Sequence, residues 1–463
     1  MILHKSRWIL PLALGLMTLV GCQKEQEDPN ANPTTPTPTT PTVSEADKIK
    51  DTALLYSRDL YLWYNQIPAT FQARTYASPV ELMTAIRQYS IEPGFSKAVD
   101  RWSFAVKQTE WDNVSSGIAG DFGLNVFFLK EGDLRVRNVE PLSPAGRAGV
   151  KRGWRIVALN GNDNIRSTNS KAIVSAVYES TNTQFRFEKP DGTTTDLTLA
   201  ATEYQEQPVA LDTVYNTGGK KIGYLVFNSF LGDTTAIKNR FQQSFSRFAS
   251  QGVNDLVLDL RYNGGGYVSL QNSLAGYLLP SSANGGELMT QKYNDKYARF
   301  NQTTLVRKEG SLNLPRLFVI VSNNSASASE LLINNLKPYM DVKLVGPSNT
   351  YGKPVGYFAV PVGDWYVFPV SSRSTNKLGQ GNYFDGFAVD RQVADGIDKN
   401  WGDLSESCLA SVVKYITTGN YGPRIAPKGQ PAVIEDPRII NANEQLVGPS
   451  FKGMILPGTS PKL

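Results

Sequence analysis

From Lys221 to about Gly419, short apolar runs alternate with longer stretches of helical period, and this alternation constrains the fold more than any other feature. Residues 222–227, 255–260 and 317–321 are apolar at nearly every position, which suits strands covered on both faces. Helical stretches lie at 233–249 and after Gly266, so the order reads as βα units around a mostly parallel sheet. The predicted class is α/β and multidomain, because the roughly 420 residues from Ser44 onward exceed one ordinary domain.

Two different textures precede that core. Residues 44–111 read as a helical unit: Ser44 and Asp47 form a capping pair, and Ile49, Leu54, Leu55, Leu60 and Trp63 follow as an apolar series. Ser78-Pro79-Val80-Glu81 signals a second helix, with Ser as cap and Pro in the first turn. Residues 112–205 change to short β-rich runs at 123–128, 134–139, 155–160 and 184–187. Residues 206–419 hold the α/β core. The Pro- and Asn-rich tail, 420–463, carries no strong signal and is expected to wrap the surface.

The first 43 residues read as an export segment and a tether. Lys5 and Arg7 precede an apolar run from Trp8 to Val20, a secretory signal over residues 1–21. Leu19-Val20-Gly21-Cys22 has the form of a bacterial lipobox, which makes Cys22 the expected lipidation site and membrane anchor. Residues 22–43 are acidic and then Pro/Thr-rich, a composition that behaves as an extended tether. The expected location is the cell envelope, lipid-anchored at the outer membrane on its periplasmic or surface face.

Charge and residue counts exclude several chemistries. The formal charge of +5 falls to +3 once Lys5 and Arg7 leave, which is no nucleic-acid footprint. With Cys22 lipidated, Cys408 has no partner for a disulfide. The single histidine is His4, inside the export signal, so the exported chain holds no imidazole. Ser-His-Asp and Cys-His catalysis are thereby excluded, as is nearly every zinc site; no metal and no cofactor are expected. Any hydrolytic base must come from Lys, Asp, Glu or Tyr.

Three motifs in the core could supply such chemistry. An apolar strand enters Ser322-Asn323-Asn324-Ser325-Ala326-Ser327-Ala328-Ser329-Glu330 and then a helical pattern, a place where a hydroxyl meets free N–H groups and the positive helix end. A Ser-rich N-cap alone would look the same. Asp259-Leu260-Arg261-Tyr262-Asn263-Gly264-Gly265-Gly266 leaves another buried strand, and its glycines permit close backbone approach to a ligand. Lys353, in Thr350-Tyr351-Gly352-Lys353-Pro354, can act as a base only if burial strips its proton near neutrality.

In this order, the motifs resemble the C-terminal processing peptidases, the tail-specific serine peptidases of the S41 type. The segment with Ser143-Pro144-Ala145-Gly146, Ala148-Gly149-Val150 and Asn160-Gly161 resembles a PDZ domain, with Gly153-Trp154 where Gly-Asp is usual. Asp100-Arg101-Trp102-Ser103-Phe104 is similar to an N-terminal segment of the same family. The resemblance implies a crotonase-like or Clp-like core, Ser327 as nucleophile and Lys353 as general base. It implies oxyanion N–H groups at Gly265 or Gly266 and at Ala328. It also implies a PDZ unit that captures substrate C-termini by β-augmentation near Phe122, Gly123 and Leu124. The partners would be proteins or peptides with accessible C-termini, and exported proteins would be cut near their tails. Tyr357 stands where the family often carries a lysine-orienting Gln.

Two rivals come from other classes. One is a non-catalytic peptide-binding lipoprotein with a degenerate core. The other is a penicillin-recognising enzyme, since Ser374-Thr375-Asn376-Lys377 matches Ser-x-x-Lys, although its companion motifs are missing.

Overall fold

A computed structural model describes residues 43–422, 436–446 and 453–455. The export signal, Cys22 and the tether up to residue 42 lie outside the described residues.

Six strands form the central sheet in the order Arg391–Gln392, Asp341–Gly346, Arg316–Ile320, Asp255–Asp259, Lys220–Phe227 and Val209–Thr217. All neighbours are parallel except Val209–Thr217, which runs antiparallel to Lys220–Phe227 at one edge. The near-continuous apolar runs have the reason expected of them: Asp255–Asp259 is buried at every position. Leu225, Leu258 and Val319 join a cluster with helices Thr234–Ser250, Val268–Leu278 and Ala328–Leu336. Tyr224, Val257 and Phe318 instead pack with helix Ser407–Thr418. Fully burying a side chain such as Phe241 or Phe245 stabilises by roughly 1.5–3 kcal/mol. Asp233 starts the first of these helices, accepting from the N–H groups of Thr235 and Ala236.

Residues 124–200 form a second, five-stranded antiparallel sheet in the order Leu124–Lys130, Asp133–Val139, Arg155–Leu159, Asn182–Glu188 and Thr194–Ala200. Short helices Pro144–Arg147 and Ser170–Val174 accompany it. Ser143 caps the first, accepting from the Gly146 N–H, with Pro144 in the first turn.

The N-terminal helices share their core with the far end of the chain. Helices Glu45–Leu60 and Pro79–Ile86 contribute Ala53, Leu54, Leu82, Met83 and Ile86 to one cluster with Val355, Tyr357, Phe368 and Met454. Strand Phe104–Lys107 pairs antiparallel with Trp365–Phe368, and the Phe104 and Phe368 rings stack with centroids 4.3 Å apart.

Two described pieces of the tail pack inward. Helix Pro437–Leu446 buries Ile439, Ala442 and Leu446 against the five-stranded sheet, and Met454, in strand Gly453–Ile455, is wholly buried. The spacing i, i+3, i+7 puts the three helix residues on one face, so the packing follows from the sequence pattern once a partner face exists.

Candidate active site

The parallel strands Asp255–Asp259, Arg316–Ile320 and Asp341–Gly346 deliver the three motif loops at their carboxyl ends, where open α/β sheets hold ligands. Hydroxyls staple the serine turn to the glycine turn. Ser325 Oγ donates to the Leu260 carbonyl at 2.7 Å, Ser329 Oγ to the Asn263 carbonyl at 3.0 Å, and Ser322 Oγ to the Arg261 carbonyl. Most of the serines in this run therefore fix backbone. Ser327 is the exception: it is fully buried, and its Oγ has no hydrogen-bond partner among the described residues. It also carries φ 60° and ψ −106°, a conformation that costs a non-glycine residue about 1–3 kcal/mol. A strained serine at a helix start, its hydroxyl without a partner among the described residues, is chemically available for a ligand.

Glu330 holds the serine and the lysine together. Its Oε2 accepts from the Ser327 N–H at 2.9 Å and from the Lys353 N–H at 2.8 Å. Its Oε1 accepts from the Thr350 hydroxyl and the Gly352 N–H, each at 2.6 Å. Burial pushes this carboxyl up from its ordinary value, and the four donors push it back. Glu330 is not among the site residues expected from the sequence, yet Ser327-x-x-Glu330 at a helix start is the capping-box spacing and carries the signal. Glu330→Gln would turn an amide N–H toward N–H donors, so thermal unfolding should show a loss of roughly 1–3 kcal/mol per group left unpaired. Acylation of Ser327 should slow by at least about a hundredfold, since a 1 Å misplacement can do as much. Unchanged stability and rate would show that Glu330 is dispensable.

Lys353 is fully buried, and burial holds its amine well below the usual lysine range. The Asp100 and Glu330 charges oppose that shift, and Arg87 reinforces it. Asp100 itself accepts from the Tyr61 hydroxyl at 2.8 Å, the Ser103 hydroxyl at 2.6 Å and the Trp102 N–H at 2.8 Å. The N-terminal unit thus supplies a buried carboxylate whose charge acts on the amine, a role the Asp100-to-Phe104 motif did not disclose. Lys353 Nζ stands 3.7 Å from the centroid of the buried Tyr357 ring, so Tyr357 does contact the amine, through its π face rather than an amide oxygen. No hydrogen bond joins Ser327 Oγ to Lys353 Nζ in this structure. Such bonds often tighten only when substrate is bound.

The glycine turn lies against the nucleophile. A Cβ on Gly265, at φ 103°, would stand 2.9 Å from Ala328 N and 2.9 Å from the Ala326 carbonyl oxygen. One on Gly266, at φ 137°, would meet the Phe230 carbonyl carbon at 2.3 Å. Only glycine fits at either position. Of the three expected oxyanion donors, Gly265 is already engaged, since its N–H donates to Asn263 Oδ1 at 2.9 Å. Ala328 is the first residue of its helix, where an N–H has no intrahelical acceptor. Gly266 lies in a strand paired with the tail. Arg261 is buried under the turn and ion-paired to Asp259, Asp395 and Glu406, which anchors the loop from below.

Residues 221–386, which contain Ser327, Glu330 and Lys353, match the profile of peptidase family S41. The chain carries an S41 peptidase domain. Two relatives, from Staphylococcus saprophyticus and Staphylococcus aureus, are named probable CtpA-like serine proteases. The first is 24% identical over 282 residues, 60% of this chain and 53% of its own length. The second is 24% identical over 259 residues, 55% of this chain and 49% of its own length. The chain therefore spans about half the length of these curated relatives. A solved S41 structure from Bacteroides fragilis is 24% identical with a TM-score of 0.65, covering 79% of this chain and 97% of its own. That likeness gives the S41 domain and its surroundings the α/β fold expected from the sequence.

The remaining candidates lie apart from the serine. Gly123 N–H donates to Asp121 Oδ1, Phe122 O accepts from the Ala145 N–H, and Leu124 pairs with Val139. A cavity of about 380 Å³ connects this corner to the S41 domain, lined by Leu124, Asn125, Glu140, Tyr262, Gly264 and Asn324. Burial and the Glu206 charge push the Glu140 carboxyl on its wall up to about 8. Ser374 lies in strand Ser372–Asn376, not on a helix, and Lys377 Nζ stands over the Tyr339 ring. A Ser-x-x-Lys site needs both groups on one helical turn, so the penicillin-recognising reading falls.

Proposed function

We propose that the chain is a serine endopeptidase in which Lys353, uncharged, takes the Ser327 proton as Oγ attacks a peptide carbonyl. The observation that carries this reading is a wholly buried lysine and a strained serine whose backbone N–H groups share one Glu330 oxygen. The exported chain has no imidazole, so this amine is the base the chemistry has available. The Ala328 N–H, with Gly266 once its edge is open, stabilises the oxyanion; the C–N bond then breaks as Lys353 passes its proton to the leaving amine, and water that gives its proton to Lys353 releases the acyl group from Ser327. In this reading Cys22 carries the lipid that tethers the enzyme to the cell envelope. The five-stranded sheet acts as a PDZ unit, and the cavity beside Leu124 leads a captured C-terminus toward Gly264.

The experiment is hydrolysis of one unstructured exported-type protein with either a free or an amidated C-terminus, read by intact mass. Faster cleavage of the free form, with products cut near the tail, supports tail-directed proteolysis; equal rates contradict it. No cleavage of either form, together with retained peptide binding, would favour the non-catalytic peptide-holding reading.

A further inference from the structure

The groove between strand Leu124–Lys130 and helix Ser170–Val174 is where an added strand would pair in a PDZ unit, and it is already filled. Helix Pro437–Leu446 lies there, its Ile439, Ala442 and Leu446 buried in one cluster with Val126, Phe128, Ile173 and Val177. Its Asn443 side chain imitates one residue of a β-ladder. Asn443 Oδ1 accepts from the Phe128 N–H at 2.8 Å, and Nδ2 donates to the Phe128 carbonyl at 3.0 Å. The Tyr178 hydroxyl completes the edge, accepting from the Val126 N–H and donating to the Leu446 carbonyl. On the Asn443 side the N–H groups of Val126 and Phe128 and the Phe128 carbonyl are thereby already engaged.

A second contact follows a few residues later in the chain. Strand Gly453–Ile455 runs parallel to Gly265–Tyr267, and the Gly453 N–H donates to the Gly264 carbonyl at 3.0 Å. On its other side the Tyr357 N–H donates to the Met454 carbonyl at 3.2 Å. The point 2.4 Å from the Gly453 carbonyl oxygen, where a Gly265 Cβ would stand, is the same point that lies 2.9 Å from Ala328 N. A tail carbonyl therefore sits beside the nucleophile turn, between the glycine edge and the residue that faces the lysine. Met454 fills the space beneath with no exposed surface.

We propose that the groove and the glycine edge are two halves of one docking site whose resident ligand is the chain's own C-terminal segment. Asn443 anchors it in the groove and Met454 anchors it in the cleft, so a peptide reaches Ser327 only after this segment leaves. Each contact is short, but the two are covalently linked, so either one holds the other at high effective concentration. Breaking the groove contact must therefore loosen the cleft contact. The kinetic half of the proposal rests on the peptidase reading; the docking half does not.

The test uses the full chain as parent, Asn443→Ala and Met454→Asp, with amide hydrogen exchange and labelling of Ser327 by a fluorophosphonate as two readouts. In Asn443→Ala, the Tyr357 amide, which the substitution does not touch, should exchange about tenfold faster, as a local opening does when one of its contacts is lost. Ser327 should be labelled faster by a similar factor. Met454→Asp, which acts at the other half, should expose the Phe128 amide and raise labelling in the same way. Parent-like exchange at Tyr357 in Asn443→Ala overturns the two-part site, even where Phe128 itself is exposed. Parent-like labelling in both variants overturns the block on Ser327. Ser327 unlabelled in all three proteins, with the exchange changes present, leaves the docking site standing and removes the peptidase reading instead.

Discussion

Ser327→Ala is expected to abolish peptide hydrolysis while leaving the fold in place. Removing the nucleophile of a serine peptidase lowers turnover by about 10⁴-fold or more, with only background rate left from the oxyanion donors. The stability expectation comes from the structure. Ser327 Oγ makes no hydrogen bond among the described residues, and alanine suffers the same strain at φ 60° as serine, so little is lost on unfolding. The thermal midpoint should move by no more than a few degrees, the shift that about 1 kcal/mol makes. A side chain that removes all activity and almost no stability is one kept for chemistry. Activity surviving in Ser327→Ala would assign the hydrolysis elsewhere.

Lys353→Met is expected to be inactive and more stable than the parent. The activity loss follows because thioether sulfur cannot take a proton from Ser327, and Lys353→Arg should be equally inactive because guanidinium stays charged. The stability gain follows from linkage. In the fold the amine sits well below its ordinary value, so between that folded value and about 10.4 the unfolded chain binds a proton that the folded chain does not. Stability of the parent therefore rises with pH across that window, by about 1.4 kcal/mol for each pH unit, and is flat below it. Methionine has nearly the same shape and no proton to lose, so the variant should lack this slope and gain what the parent forfeits at neutral pH. Urea unfolding at several pH values measures both effects. A parent curve with no rise toward pH 10, or a Met variant less stable than the parent at pH 7, would mean that the amine is solvated and charged.

How far the sequence could be read depended on whether a feature was local. The sheet strands announced themselves because each is buried on both faces, and the helix from Thr234 because Asp233 caps it. Ser327 and Lys353 stood out through motif order, and the structure places both on Glu330, whose role could have been read from its capping-box spacing. What lay hidden was contact over distance. Asp100 becomes the charged neighbour of Lys353 only after the N-terminal helices pack against 355–370, separated from it by more than two hundred residues. The tail gave no strong signal because a ten-residue amphipathic helix and a three-residue strand are too short to declare themselves without the surfaces they cover. The motif alone leaves Gly265 and Gly266 as alternative donors, and the Asn263 side chain, two residues before Gly265, takes the Gly265 N–H.

The proposed peptidase chemistry requires a buried Lys353 amine that is uncharged as Ser327 reacts. Selective labelling of Lys353 at Cε, followed by NMR across pH, reads its protonation directly alongside the fluorophosphonate acylation rate of Ser327. Lys353 should show a transition well below about 10.4, with the acylation rate rising through the same pH as the amine loses its proton. A Lys353 signal that titrates at the ordinary lysine value, or an acylation rate that rises with no change at Lys353, would contradict it.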